Sequence, residues 1–247
     1  MITTHQLGET HTPDGARFSL HKHDGDFFLK LNGRQLMSTT STVSELLLAD
    51  LACPLIGAKP DARVLIGGLG LGYSLKRVLE LVGPTATVHV AELLPEVVAW
   101  NREFLGKING KLLDDPRVEV FVEDVFRLIR DAATQRYDAI LLDVDNGPTS
   151  FVQAKNARLY DRSGFAMIRR ALTKEGCVTF WSATVEPGFI GRLQRARFTV
   201  NSVPCKAHER AKRLEHVIYV ARRDERPPQI KPVISVAPSR FKKPHKK

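Results

Sequence analysis

Residues 63–92 read RVLIGGLGLGYSLKRVLELVGPTATVHVAE. The apolar run Arg63 to Ile66 is followed by Gly67, Gly68, Gly70 and Gly72. Leu75, Val78, Leu79 and Val82 then recur at helical spacing, and Gly83-Pro84 ends that pattern. A second apolar run, Thr87 to Val90, closes at Glu92. Strand, glycine turn, helix, strand and acid form the layout of a nucleotide-binding βαβ half. Glycine permits a sharp turn at positive φ and lets a ligand lie against the main chain. The helix behind the turn offers free N–H groups. A carboxylate about twenty residues further on is placed to accept two ribose hydroxyls. Glycines alone also mark ordinary structural turns; the flanking elements and the spaced acid favour the binding reading.

The 247 residues, 43% of them apolar, suffice for one large α/β domain with an appendage or for two small domains. Cys53, Cys177 and Cys205 show neither ligand spacing nor a paired framework, so a reduced, cytoplasmic setting is expected. The opening MITTHQLGETHTPDG has no apolar core and is not read as a signal peptide. Leu46 to Ala58 is the most apolar stretch; with Asp50 and Pro54 inside it, it is too short to span a bilayer, and no membrane partner is expected. The net charge of +10 is uneven: residues 192–247 carry +12, from 16 Lys/Arg against four Asp/Glu, and residues 1–191 carry −2. Such a basic end can touch nucleic acid, but it is more often a solvated, disordered tail.

Arg17 to His21, Asp26 to Leu31 and Gln35 to Ser38 read as a small β-meander turned at Asp24-Gly25 and Asn32-Gly33. His21 and His23 sit beside a turn with no further ligand at metal spacing, so no metal site is predicted. Thr42-Val43-Ser44-Glu45 has the form of a capping box opening a helix to about Cys53. After Glu92 the pattern predicts a helix from Pro95, a strand over 117–122, a helix from Val125 to Ala133 and a buried strand Tyr137 to Leu142. A mostly helical stretch 159–172, a strand 177–182, a helix 189–195 and two strands, 197–203 and 216–221, complete the body. The alternation predicts a Rossmann-like, doubly wound, mostly parallel seven-stranded sheet closed by an antiparallel hairpin. The expected organisation is residues 1–60 as meander and lead-in helix, 61–223 as nucleoside-binding domain and 224–247 as a Pro/Lys-rich tail without packed structure.

In such a sheet the ligand lies beyond the carboxyl ends of the strands where strand order reverses. Four predicted strand ends carry polar residues: the glycine turn 67–72, Glu92, Glu123-Asp124 and Asp143/Asp145. Each acid alone could be a helix cap or turn residue, Asp124 especially; three beside one glycine turn point to a shared ligand. Asp143, at the mouth of an apolar strand, is the foremost catalytic candidate: desolvation raises its pKa, so it can take or hold the proton of an attacking amine. Tyr73 and Trp181 are candidates for an aromatic wall, with core packing an equal alternative for Trp181.

These motifs resemble the spermidine synthase group within the class I S-adenosylmethionine-dependent methyltransferase fold. The resemblance rests on VLIGGLGLGYSLKRVLE, VAELLPEVVAWNREFLG, DPRVEVFVEDVFRLI, YDAILLDVDNGP and Leu159-Tyr160, and more loosely on NGRQLMSTTSTVSELLLADL. It implies that Gly68, Gly70 and Gly72 lie along the donor nucleoside, that Glu92 holds the ribose and Asp124 the adenine amino group, and that Asp143 with Asp145 serves the amine. It places Glu45 near the substrate-facing glutamate. Gly70 stands where the group normally carries an aspartate for the aminopropyl amine, and Val43-Ser44 where it has tyrosine-histidine. The implied activity is aminopropyl transfer from decarboxylated S-adenosylmethionine to a di- or polyamine, without metal; a homodimer is compatible with it. The first alternative is methyl transfer from S-adenosylmethionine to a small molecule, favoured by Gly70. A second is a nucleic-acid-associated protein acting through the basic C-terminus, which lacks interleaved aromatic residues. An NAD dehydrogenase ranks lowest, since Asp124 and Asp143 have no role in it.

Overall fold

The computed structural model describes residues 4–53, 56, 59–144, 154–208, 210, 211 and 213–223, with backbone alone at 154 and 155. Asp145 and the basic tail 224–247 lie outside the described residues.

The chain opens with a four-stranded antiparallel sheet, β1 (His5–His11), β2 (Arg17–His23), β3 (Asp26–Leu31) and β4 (Arg34–Ser38). The predicted meander is β2 to β4, with positive φ at Asp24-Gly25 and Asn32-Gly33. The additional strand β1 has the polar sequence HQLGETH and no readable alternation; pairing with β2 makes it a strand. Helix α1 (Val43–Ala52) follows and packs on α2 (Tyr73–Leu81) and across β9 (Leu172–Ser182). The predicted capping box does not form. Thr42 has φ −116° and ψ −2° and makes no side-chain cap bond, because a capping oxygen faces the first-turn N–H groups only from an extended backbone. Glu45 instead turns inward and accepts from Ser44 Oγ at 2.7 Å.

The second sheet has seven strands. With β5 (Arg63–Gly67), β6 (Thr87–Glu92), β7 (Val118–Val122), β8 (Tyr137–Leu142), β10 (Thr199–Cys205) and β11 (His216–Arg222), the order is β10-β11-β9-β8-β5-β6-β7. All pairs from β9 to β7 are parallel, and β11 is antiparallel to both β9 and β10. The closing hairpin and the seven-stranded sheet match the reading of the sequence. Strand order reverses between β5 and β8, which pair directly, Gly67 opposite Leu142. Every residue of β8 is buried, as a strand covered on both faces requires. On one face lie α1, α2 and α3 (Pro95–Glu103) with the small sheet; α5 (Val125–Asp131), α6 (Arg162–Ala171) and α7 (Phe189–Arg195) cover the other. A four-residue helix, α4 (Gly106–Asn109), follows α3.

Two contacts seat the small sheet. Phe18 stacks on Trp100 of α3 with interplanar angle 3°, and a Cβ at Gly8 would collide with the Trp100 indole. At the opposite end of the large sheet the buried Asp138 accepts from Lys59 Nζ at 2.8 Å, the Arg63 N–H at 2.9 Å and Thr173 Oγ1 at 3.2 Å, tying together the starts of β5, β8 and β9. Removing a buried carboxylate strands those donors. Asp138→Ala is therefore expected to lower unfolding free energy by about 3 kcal/mol, measured as a drop in urea midpoint at unchanged slope; a loss below about 0.5 kcal/mol would show that the brace contributes nothing.

Candidate active site

The β5–β8 reversal opens into a cavity of about 300 Å³. Its floor is the glycine turn and the carboxyl ends of β6, β7 and β8; its roof comes from the small sheet through Phe18, Leu29 and Gln35 to Ser38. Of the predicted site residues, Gly68, Gly70, Glu92, Asp124, Asp143, Glu45 and Trp181 all line this one space. Tyr73 and Gly72 do not line it: Gly72 is the left-handed N-cap of α2 (φ 86°), and Tyr73 is the first residue of that helix. Asp145 lies outside the described residues.

The glycine turn owes its shape to protein neighbours. Gly68 (φ 91°) donates to Ala91 O at 2.9 Å, and a Cβ there would collide with the Asp143 carbonyl. The Asp143 N–H donates to Gly67 O at 3.0 Å, so turn and acid form one unit. Asn101 of α3 donates to Gly70 O at 2.8 Å, and Asn109 donates to Leu71 O, holding the turn from behind. The Met37 thioether packs where a Gly70 side chain would begin.

Glu92 is buried, and each of its oxygens accepts a backbone N–H, from Leu69 at 2.9 Å and Leu94 at 3.0 Å. Burial pushes its carboxyl up, while the N–H groups of Leu94, Leu69, Gly70 and Leu93 pull the other way. Glu92 lines the cavity, where a carboxylate can accept from the hydroxyls of a ribose. Asp124 is also a cap: its side chain accepts from the Phe126 N–H at 2.9 Å at the start of α5 and pairs with Arg158. The Arg158 guanidinium lies 4.0 Å over the Phe126 ring. The carboxylate charge of Asp124 is thus already neutralised, and what it can offer a ligand is a hydrogen-bond acceptor.

Glu45 and Asp143 are different. Burial pushes Asp143 up to about 8, and the charge of Glu45 adds to this. Burial likewise raises Glu45, against the Ser44 hydroxyl. Two desolvated carboxyls lining one cavity disfavour each other's ionisation, so both are shifted toward the protonated form. A group of this kind can accept the proton of an ammonium, or anchor it. On the same wall, Trp181 of β9 and His216 of β11 meet edge to face with centroids 4.8 Å apart. Trp181 Nε1 and His216 Nδ1 are buried without a hydrogen-bond partner among the described residues, a state that costs about 1–3 kcal/mol per group.

Met37, Asn101, Asn109, Arg158 and His216 went unassigned as site residues in the sequence. Asn101 appeared only as part of a helical pattern, and none of the others carries a local signal. Their roles come from side chains that cross between elements far apart in the chain.

Residues 50–186 match the family model described as "Spermine/spermidine synthase domain". Polyamine aminopropyltransferase 1 of Streptomyces coelicolor is 37% identical over 127 residues, covering 51% of this chain and 23% of that protein. The polyamine aminopropyltransferase of Pyrobaculum calidifontis is 34% identical over 128 residues, covering 51% of this chain and 43% of that protein. The match therefore spans less than half the length of either relative. The crystal structure of spermidine synthase from Thermotoga maritima shares the fold, with TM-score 0.63, 18% identity and coverage of 88% of this chain and 72% of that one. A family match across more than half the chain, on the strand ends that build the cavity, means that this chain belongs to the spermine/spermidine synthase domain family.

Proposed function

We propose that the cavity transfers an aminopropyl group from decarboxylated S-adenosylmethionine to an amine of the di- or polyamine class. The observation that carries this reading is the Glu45–Asp143 pair opposite a glycine turn and a buried ribose-type acid. The nucleoside would lie along Gly68 and Gly70, its diol on Glu92 and its adenine amino group on Asp124. The acceptor amine, as free base, attacks the methylene next to the sulfonium; the C–S bond breaks and methylthioadenosine leaves as a neutral thioether. The proton lost by the nitrogen goes to the carboxylate of Asp143, with Glu45 setting its readiness. Positioning and deprotonation are the protein's contributions, since the sulfonium is itself a good leaving group. The family match and the relatives' names support aminopropyl chemistry. So does the lining: five carboxylic side chains and, among the described residues, no lysine or arginine for the α-carboxylate of S-adenosylmethionine.

One observation favours methyl transfer as the second reading. The Met37 thioether, rather than a carboxylate, borders Gly70, where the donor tail would end. Calorimetry separates the two: methylthioadenosine binding more tightly than S-adenosylhomocysteine supports aminopropyl transfer, and the reverse order supports methyl transfer. An assay with putrescine and the decarboxylated donor should release methylthioadenosine; none with any amine would reject the first reading. Among the described residues no helix is long and apolar enough to cross a membrane. The cysteines are free and buried, which supports a reducing, cytoplasmic setting.

Asp143 must be ionised to accept a proton, so kcat/KM should rise with pH through about 8. Glu45→Gln removes the neighbouring charge and should move that limb to lower pH, against an amine titration common to both proteins; an unmoved limb would mean the carboxyls are not coupled. The same raised pKa has a stability consequence. A carboxyl protonated in the fold and ionised when unfolded loses stability as pH rises from about 4 to about 8, so Asp143→Asn should flatten that decline. Separately, Gly68→Ala forces a Cβ against the Asp143 carbonyl at positive φ. It should weaken methylthioadenosine binding at least tenfold by calorimetry; unchanged affinity would remove the turn from the donor site.

A further inference from the structure

The helices that cover the second face of the large sheet end in arginines. Arg130 stands in the last turn of α5, Arg169 and Arg170 in that of α6, and Arg192 and Arg195 in that of α7. Arg197 follows at once, before β10. These ends adjoin: Arg170 donates to Arg130 O, Arg169 Nε donates to Arg197 O at 3.3 Å, and the Phe165 and Phe189 rings meet between α6 and α7 at 5.8 Å. They lie where α6 enters β9 and α7 enters β10, at the amino ends of the strands, and none of these arginines lines the cavity. Residues 162–197 hold seven Lys/Arg, six of them arginine, against two Asp/Glu. Arg170, Lys174, Arg195 and Arg197 are exposed. Asp131 pairs with Arg130, but Arg192, Arg195 and Arg197 form no ion pair among the described residues. One cation in a last turn complements a helix dipole; this many on three adjoining ends repel one another unless an anion lies over them. Arg223 donates to the carbonyls of Arg169 at 3.0 Å and Leu172 at 2.6 Å, so the chain runs on into residues 224–247 from this same place. Those residues carry seven Lys/Arg against two Asp/Glu.

We infer that the adjoining ends of α5, α6 and α7 form a docking surface for the phosphate backbone of a nucleic-acid duplex. The surface is independent of the reaction in the cavity. A guanidinium fork matches two phosphate oxygens, which suits an arginine-dominated face. A duplex presents one negative charge per about 1.7 Å of axis, and cations that replace its counterions gain by their release. The aromatic rings of this layer, Phe165, Phe189 and Phe198, are buried, so nothing stacks the unpaired bases of a single strand. The large apolar side chains exposed among the described residues, Val122, Val185 and Leu214, lie toward the carboxyl ends of the strands, so the arginine face lacks the apolar partners a lipid surface would require. Contacts of this kind fix position without reading sequence.

The test is fluorescence anisotropy of a labelled duplex of about twenty base pairs, titrated with the full chain between about 50 and 200 mM salt. The expected slope of log affinity against log salt is about −4 or steeper, and equal for two unrelated sequences. Arg195→Gln combined with Arg197→Asn should reduce that slope by about two and weaken binding about tenfold or more. Asparagine is chosen because Arg197 has φ 63°, which asparagine tolerates. Arg102→Gln combined with Lys107→Gln removes the same charge from α3 and α4 on the other face of the sheet, and should leave slope and affinity unchanged. Thermal melts confirm that both double variants are folded. No duplex binding at the lowest salt, an equal loss in both double variants, or poly-glutamate bound as tightly as the duplex overturns the inference. So does binding that survives Arg195→Gln with Arg197→Asn and vanishes when Lys242, Lys243, Lys246 and Lys247 are changed to Gln, which would assign it to the tail alone.

Discussion

The structure turns on how closely two backbones approach at the sheet's reversal point. β5 and β8 pair side by side, and the turn after one passes so near the end of the other that Gly68 has no room for a side chain beside the Asp143 carbonyl. This contact sets the glycine turn and Asp143 at one edge of a single cavity. A sheet with β5 and β8 apart would keep both motifs and lose their relation. The positive φ at Gly68 and the bonds Gly68 N–H to Ala91 O and Asp143 N–H to Gly67 O hold this geometry.

Electrostatics follow from that packing. Glu92 and Asp124 are engaged by backbone N–H groups, and Asp124 by Arg158 as well, so neither presents a bare charge. Glu45 and Asp143 are buried in the wall of the same cavity, and both are driven toward the protonated form. Glu45, which sequence pattern assigns to a helix cap, is buried and accepts from the Ser44 hydroxyl instead, and the cap geometry at Thr42 is absent.

Much of the fold was legible locally. The Gly67–Gly72 turn, the helix with Leu75, Val78 and Leu79 inward, and the all-apolar YDAILL strand have periodicities that depend only on their own residues. Asp124 was readable both as a cap and as a rim acid, and it is both. β1 was not legible, because HQLGETH has no amphipathic pattern and becomes a strand through hydrogen bonds to β2. Arg158 and His216 were hidden for a related reason: each reaches its partner across a long stretch of chain, Asp124 lying 34 residues from Arg158.

By itself, the sequence determined the order of strands and helices from β2 through the large sheet, the positions of the acids at strand ends and the family, since these rest on short-range patterning and spacing. Tertiary structure alone decided which acids are buried in one cavity, which is paired with an arginine, that Tyr73 stands outside the cavity and that Trp181 meets His216 in its wall. Burial and charge coupling depend on what other segments bring within a few ångströms, and no local pattern encodes those distances.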